Sequence, residues 1–132
     1  MKWGIVKILV IEDSRILQAG IKRTLTKAGH DVIVSSDGQE GLEAASKVHP
    51  ELILLDMMLP TMMGTDVLRA LKSQPTTKDI AVFVLSGLSQ SNQDKLLRAG
   101  ATRYFEKSDL LLSHNFESLL QAIQTIDGLK TA

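Results

Sequence analysis

At 132 residues the chain has the length of one domain with a sizeable core, expected to span residues 1–132. Fifteen basic and fifteen acidic residues cancel, so the overall charge points to neither nucleic acid nor an anionic membrane, and function must come from local placement. With no cysteine, disulfides, thiolate metal sites and cysteine nucleophiles are excluded; no apolar run approaches membrane-spanning length and the opening has no cleavable leader pattern, so the cytoplasm is the expected address.

Apolar runs alternate with helical patterns five times, without repeat or linker. That pattern predicts an α/β fold, a doubly wound sheet of five parallel strands with helices on both faces. The first strand, residues 6–11, ends on Glu12-Asp13. Ser14 then suits the N-cap of a helix with Leu17, Ile21, Leu25 and Ala28 inward and Gly29 as its stop. The second strand covers residues 30–35, and Asp37 with Glu40 reads as a capping box opening a helix to about Lys47. Pro50 breaks the chain before the third strand.

That third strand, Glu51-Leu-Ile-Leu-Leu, is short, apolar and closed by Asp56, as a central strand covered on both faces should be. Asp56 therefore lies at the carboxyl edge, where open α/β sheets bind ligands. A Met-rich loop with Pro60 leads to a helix over residues 65–73 with Val67, Leu68 and Leu71 inward, and residues 74–77 form a connecting loop. The fourth strand, residues 80–85, stops at Ser86-Gly87. Ser89 or Ser91 can cap a helix that reaches Ala99 and stops at Gly100. The fifth strand, residues 102–106, is short and polar enough for an edge, and it delivers Lys107. A last helix carries Phe116, Leu119, Leu120, Ile123 and Ile126 on one face, and residues 129–132 are expected to fray.

Taken singly these polar residues have ordinary explanations. Strand-end acids cap helices and turns, Ser86 can satisfy a loop amide, Lys107 can be a surface lysine, and Met57, Met58, Met62 and Met63 suit gap-filling packing better than a metal box. Their conjunction on one sheet edge is another matter. Two acids follow the first strand, one the third, a hydroxyl the fourth and a lysine the fifth. Carboxylate pairs at about 4 Å repel by roughly 4 kcal/mol at an effective dielectric near 20. Three acids and one lysine leave two negative charges, which one hard divalent ion would neutralise, and Mg²⁺ is the natural choice. A hard cation, an ammonium and a hydroxyl around a carboxylate form a receptacle for a phosphoryl group on Asp56, with Lys107 and Ser86 sharing its oxygens.

At these residues the chain resembles the receiver domain of two-component response regulators. The resemblance rests on Ile-Leu-Val-Ile-Glu-Asp-Ser at 8–14, Leu-Ile-Leu-Leu-Asp-Met-Met-Leu-Pro at 52–60 with Gly64, Val-Leu-Ser-Gly at 84–87, and Ala-Gly-Ala-Thr-Arg-Tyr-Phe-Glu-Lys at 99–107. It implies strand order 2-1-3-4-5, the flavodoxin-like arrangement. It implies that Asp56 takes a phosphoryl group from a phosphohistidine on a sensor histidine kinase or histidine phosphotransfer protein, as a phosphoacceptor rather than a turnover enzyme. Glu12, Asp13, Asp56 and the backbone carbonyl of Met58 would hold Mg²⁺. Ser86 and Tyr104 would switch the surface of the fourth helix, fifth strand and fifth helix toward an output partner, a homodimer through that surface included; direct nucleic-acid and membrane contacts are not expected.

Two features depart from the family pattern. Glu12 stands where Asp is common, leaving direct and water-mediated metal ligation both open. Ser108 stands where a proline usually follows a cis peptide, and a non-proline cis bond costs about 3 kcal/mol, which leaves the reach of Lys107 open. The segment 109–115 is long, and either adds a turn with an exposed leucine patch or packs on the core. Among rivals, a flavin-binding domain would need a phosphate cradle where Glu12-Asp13 stands, and an aspartyl phosphatase would have a second Asp where Met58 stands. The remaining alternative is a receiver-like interaction module that works without phosphorylation.

Overall fold

The computed structural model describes residues 5–87, 93–112 and 116–131. Five strands form one parallel sheet in the order β2-β1-β3-β4-β5: β1 Lys7–Ile11, β2 Asp31–Ser35, β3 Leu52–Asp56, β4 Ala81–Ser86 and β5 Arg103–Glu106. The order and the parallel sense are those expected. The register pairs Ile11 with Ser35 on one side and with Leu55 on the other, and Asp56 with Leu85. The carboxyl ends of all these strands therefore come out level along one edge.

Alternation along the strands divides the core in two. Ile8, Val10, Leu52, Leu54, Phe83 and Leu85 face α1 (Arg15–Lys27) and α6 (Glu117–Thr131), which contribute Leu17, Ile21, Leu25, Leu119, Ala122, Ile123 and Ile126. Leu9, Ile11, Ile53, Leu55, Val82 and Val84 face α2 (Gly38–Val48), α3 (Gly64–Ser73) and α4 (Gln93–Arg98). Every residue of β3 is buried. Continuous burial is what makes a strand read as an unbroken apolar run, and a charged residue at its end then needs partners.

Local signals set the helix ends. Ser14 accepts from the Leu17 amide and Asp37 from the Glu40 amide. Helices α1 and α4 close in the same way: Gly29 (φ 99°) and Gly100 (φ 113°) take the left-handed turn, and the following amides of His30 and Ala101 bond back to Leu25 and Leu96. Ala28, expected inward, is exposed at the C-cap of α1, where the helix has ended and the chain turns through Gly29 toward β2.

The end of the chain differs most from expectation. A short additional helix, α5 (Lys107–Leu112), begins directly at the end of β5, so the C-terminal helix is the sixth. Of the leucines in this segment Leu110 is buried in the core, while the side chains of Leu111 and Leu112 lie outside the described residues. Phe116 precedes α6, with φ 54°, and packs against the first core cluster. Helix α6 runs on to Thr131, past the expected fraying point at 129. The capping serines Ser89 and Ser91 also lie outside the described residues.

Gly64 shows how tightly the loop after β3 is held. A Cβ added there would come within 2.5 Å of the Asp56 carbonyl oxygen and the Met57 Cα. Backbone cannot yield as a side-chain tip can. Gly64→Ala should therefore destabilise the protein by about 1–3 kcal/mol in urea denaturation; an unchanged midpoint would show that the loop relaxes freely.

Candidate functional site

At the level edge of the sheet, Glu12, Asp13 and Asp56 each place a carboxylate oxygen within 4.8 Å of the others. Glu12 and Asp56 are fully buried, and Asp13 is exposed. The level register explains the convergence: β1 and β3 are neighbours, so the residues following Ile11 and Leu55 must come together. Ser86, also buried, ends β4 opposite Glu106, and Lys107 follows at the next position. All five polar residues singled out by the sequence reach this one edge.

Lys107 bridges the two buried acids. Its Nζ stands 2.9 Å from Asp56 Oδ1, 3.1 Å from Glu12 Oε1 and 3.4 Å from Glu12 Oε2. No peptide bond among the described residues is cis, so the Lys107–Ser108 bond is trans and the lysine still reaches the acids. Asp56 Oδ1 also accepts from the Met58 amide at 3.0 Å, and Glu12 Oε2 from the Ser14 amide at 3.0 Å. The other oxygen of each acid, Asp56 Oδ2 and Glu12 Oε1, is buried without a hydrogen-bond partner among the described residues. The contact from Lys107 to Glu12 Oε1 is close enough for charge attraction without being a well-directed hydrogen bond.

Two unsatisfied carboxylate oxygens in a buried site are costly unless a cation or proton serves them. Burial, reinforced by the neighbouring Asp56, pushes the Glu12 carboxyl up from 4.5 to about 7, against the opposing effects of the Ser14 amide and Lys107. For Lys107 burial favours the neutral amine, but the Asp56 and Glu12 carboxylates outweigh it and the pKa is raised. The ammonium is therefore a fixed positive charge at neutral pH. The donor set, all carboxylate oxygen, matches a hard divalent ion and offers nothing to a soft one.

The methionine-rich loop divides in its role. Met57 is buried and Met62 packs on the second core cluster, as gap-filling residues would, whereas Met58 and Met63 are 55% and 46% exposed. Thr61 adopts φ 64°, costly for a β-branched residue. Tyr104 is half-buried against the second cluster, opposite Val84 on the neighbouring strand.

A model of the response regulator receiver domain matches residues 8–124. The chain belongs to that family. As a receiver domain it is a phosphoacceptor signalling module of two-component systems. Response regulator MprA of Mycolicibacterium vanbaalenii is 33% identical over 126 residues, covering 93% of this chain and 54% of that protein. The chain thus spans about half the length of the curated MprA relatives it matches. Among solved structures, chemotaxis response regulator CheY4 of Vibrio cholerae is similar with a TM-score of 0.81 at 28% identity, over 92% of this chain and 98% of that one. The receiver domain of sensor histidine kinase PA1611 from Pseudomonas aeruginosa, solved with a magnesium ion in its active-site cleft, is similar with a TM-score of 0.80 at 25% identity, over 94% and 98% of the two chains.

One residue that braces the backbone beside this receiver domain's site escaped the sequence reading. Gln18, on α1, donates from Nε2 to the Glu12 carbonyl at 2.9 Å and to the Ser35 carbonyl at 3.4 Å. The available signal was a polar side chain on the flank of the inward stripe, one turn after Ser14.

The raised pKa of Glu12 has a definite sign in stability. Between about 4.5 and 7 the folded chain holds this proton more tightly than the unfolded chain, so stability falls as pH rises through that window. Comparing the native protein with Glu12→Gln by urea denaturation in chelator should show the native protein losing stability relative to the variant from pH 4.5 to 7. A difference independent of pH would mean that Glu12 is already ionised throughout.

Proposed function

We propose that Asp56 is the phosphoryl acceptor of this receiver domain, with Oδ2 as the attacking atom. The carrying observation is the asymmetry of its carboxylate: Oδ1 is engaged by Lys107 and the Met58 amide, while Oδ2 is buried with no hydrogen-bond partner among the described residues. The donor is a phosphohistidine of a sensor histidine kinase or phosphotransfer protein. Oδ2 bonds to phosphorus as the phosphorus–nitrogen bond breaks, and the imidazole leaves with the electron pair. The product is an acyl phosphate, labile to water and hence a temporary mark.

Glu12, Asp13 and Asp56, with the Met58 backbone carbonyl, are the residues that would hold Mg²⁺. Their fit rests on Asp56 Oδ2, which has no hydrogen-bond partner among the described residues, on Glu12 Oε1, met only by the Lys107 charge, and on the all-oxygen donor set. When bound, Mg²⁺ neutralises the crowded carboxylates and the charge that builds on the phosphoryl oxygens. Lys107 and the Ser86 hydroxyl grip those oxygens from the far side. Lys107 is well placed for this, because the ammonium already rests on Asp56 and can follow charge from the carboxylate to the incoming group.

The same reading carries the signal outward. Ser86 ends β4, and Tyr104 lies two positions before Glu106, its neighbour across the ladder. Movement of the hydroxyl toward a phosphoryl group would open room for Tyr104, altering the face made by α4, β5 and the helices after it. An output protein or domain, or a second copy of the chain, is the reader of that face. The whole chain is proposed to act as a single receiver unit in the cytoplasm.

Incubation with Mg²⁺ and a small acyl-phosphate donor should add the mass of one phosphoryl group, absent in Asp56→Asn and in chelator. Lys107→Ala should fold yet accept the group more slowly by on the order of a hundredfold or more. A folded native protein that gains no mass under these conditions would favour the phosphorylation-independent interaction module.

A further inference from the structure

We propose that Gln18 is a positioning residue for the metal-holding loop, setting the direction of Asp13 through the backbone. The inference rests on the reading of Glu12 and Asp13 as Mg²⁺ ligands. Asp13 is the least restrained of the three acids. It is exposed, and its carboxylate has no hydrogen-bond or ion-pair partner among the described residues, whereas Glu12 and Asp56 are held by Ser14, Met58 and Lys107. Its position within 4.8 Å of the other two therefore depends on its backbone.

That backbone is held on either side of Asp13: the Ser14 amide after it donates to Glu12 Oε2 at 3.0 Å, and the peptide before it is held through the Glu12 carbonyl. The peptide unit joining Glu12 to Asp13 is planar, so fixing the Glu12 carbonyl oxygen fixes the plane from which Asp13 projects. Gln18 Nε2 donates to that oxygen at 2.9 Å. The second donation, to Ser35 at 3.4 Å, ties the same amide to the end of β2, whose carbonyl also accepts from the Glu12 amide at 3.0 Å. Both neighbours are acceptors, so only the NH₂ side of the amide can face them. Gln18 thus closes a brace between α1, β2 and the loop just beyond the last ladder pair, Ile11 with Ser35.

Lys107 and Asp56 take no part in this brace, so the effect should fall on metal affinity and spare phosphoryl acceptance once metal is saturating. Gln18→Met keeps length and volume and removes the donor; Gln18→Arg keeps N–H donors at that position. Mg²⁺ binding by titration calorimetry at about 0.15 M salt, and the Mg²⁺ dependence of phosphorylation of the full chain, read the consequence. Gln18→Met should weaken Mg²⁺ binding roughly tenfold, with the rate at saturating Mg²⁺ unchanged and amide exchange at Asp13 faster in the metal-free protein. Gln18→Arg should bind closer to the native protein. Should Gln18→Met fail to fold, Gln18→Asn, one methylene short of the carbonyl, must show the same shift. Unchanged Mg²⁺ affinity in a folded Met or Asn variant overturns the proposal, as does an Arg variant as weak as the Met variant. Failure of the native protein itself to bind Mg²⁺ would instead overturn the metal site, and the role of Gln18 with it.

Discussion

Two carboxylates buried side by side are the constraint around which this molecule is arranged. Glu12 and Asp56 are both inaccessible to water, and one ammonium, that of Lys107, lies between them. A single lysine cannot neutralise two acids and the exposed Asp13 as well. Burial, with the neighbouring Asp56 adding to it, favours a proton on Glu12 and pushes its carboxyl up to about 7, which removes part of the negative charge. A protein stabilised for its own sake would remove one of these acids. Their retention in a buried cluster marks a site whose favourable state includes something more than the chain, in line with the pattern that strongly perturbed groups gather where chemistry is done.

The sheet makes this arrangement possible because it is parallel. Parallel strands that pair without stagger end together, so side chains from β1, β3, β4 and the residue after β5 meet without long loops. Gly64 then locks the loop after β3 by lying against the Asp56 carbonyl, and the Met58 amide fixes one carboxylate oxygen. The other oxygen of Asp56, Oδ2, has no hydrogen-bond partner among the described residues. On the proposed reading, preorganisation means that the acceptor atom is the one without a task in the resting fold.

Much of this was legible in the sequence because it lay in strand ends. The apolar run before Asp56, the acid pair after the first strand and the lysine after the fifth are short-range patterns whose meeting point follows from the fold class alone. Helix starts at Ser14 and Asp37 and stops at Gly29 and Gly100 were readable for the same reason: each is fixed by one side chain or one left-handed turn. What could not be read were contacts that depend on three-dimensional aim. Gln18 looks like any half-polar helix residue until the helix is laid against β1 and β2, and Ala28 fits the inward stripe numerically yet falls at the C-cap, where the helix has already ended. Two of the four methionines likewise pack and two do not, a split decided by loop path rather than composition.

The absent proline after Lys107 is answered by geometry of a different kind. Here the chain enters α5 at Lys107 itself, through a trans peptide. Side chains on a helix lean toward its N-terminus, so a lysine in the first position of α5 leans back over the end of β5, toward the edge where Glu12 and Asp56 wait. Leu110, three residues on and so on the same face, is buried and pins this short helix to the core. The additional helix is thus more than an insertion: its first residue supplies the bridging ammonium and its fourth supplies the anchor. A lysine leaning back from a pinned helix reaches Glu12 and Asp56 through a trans peptide.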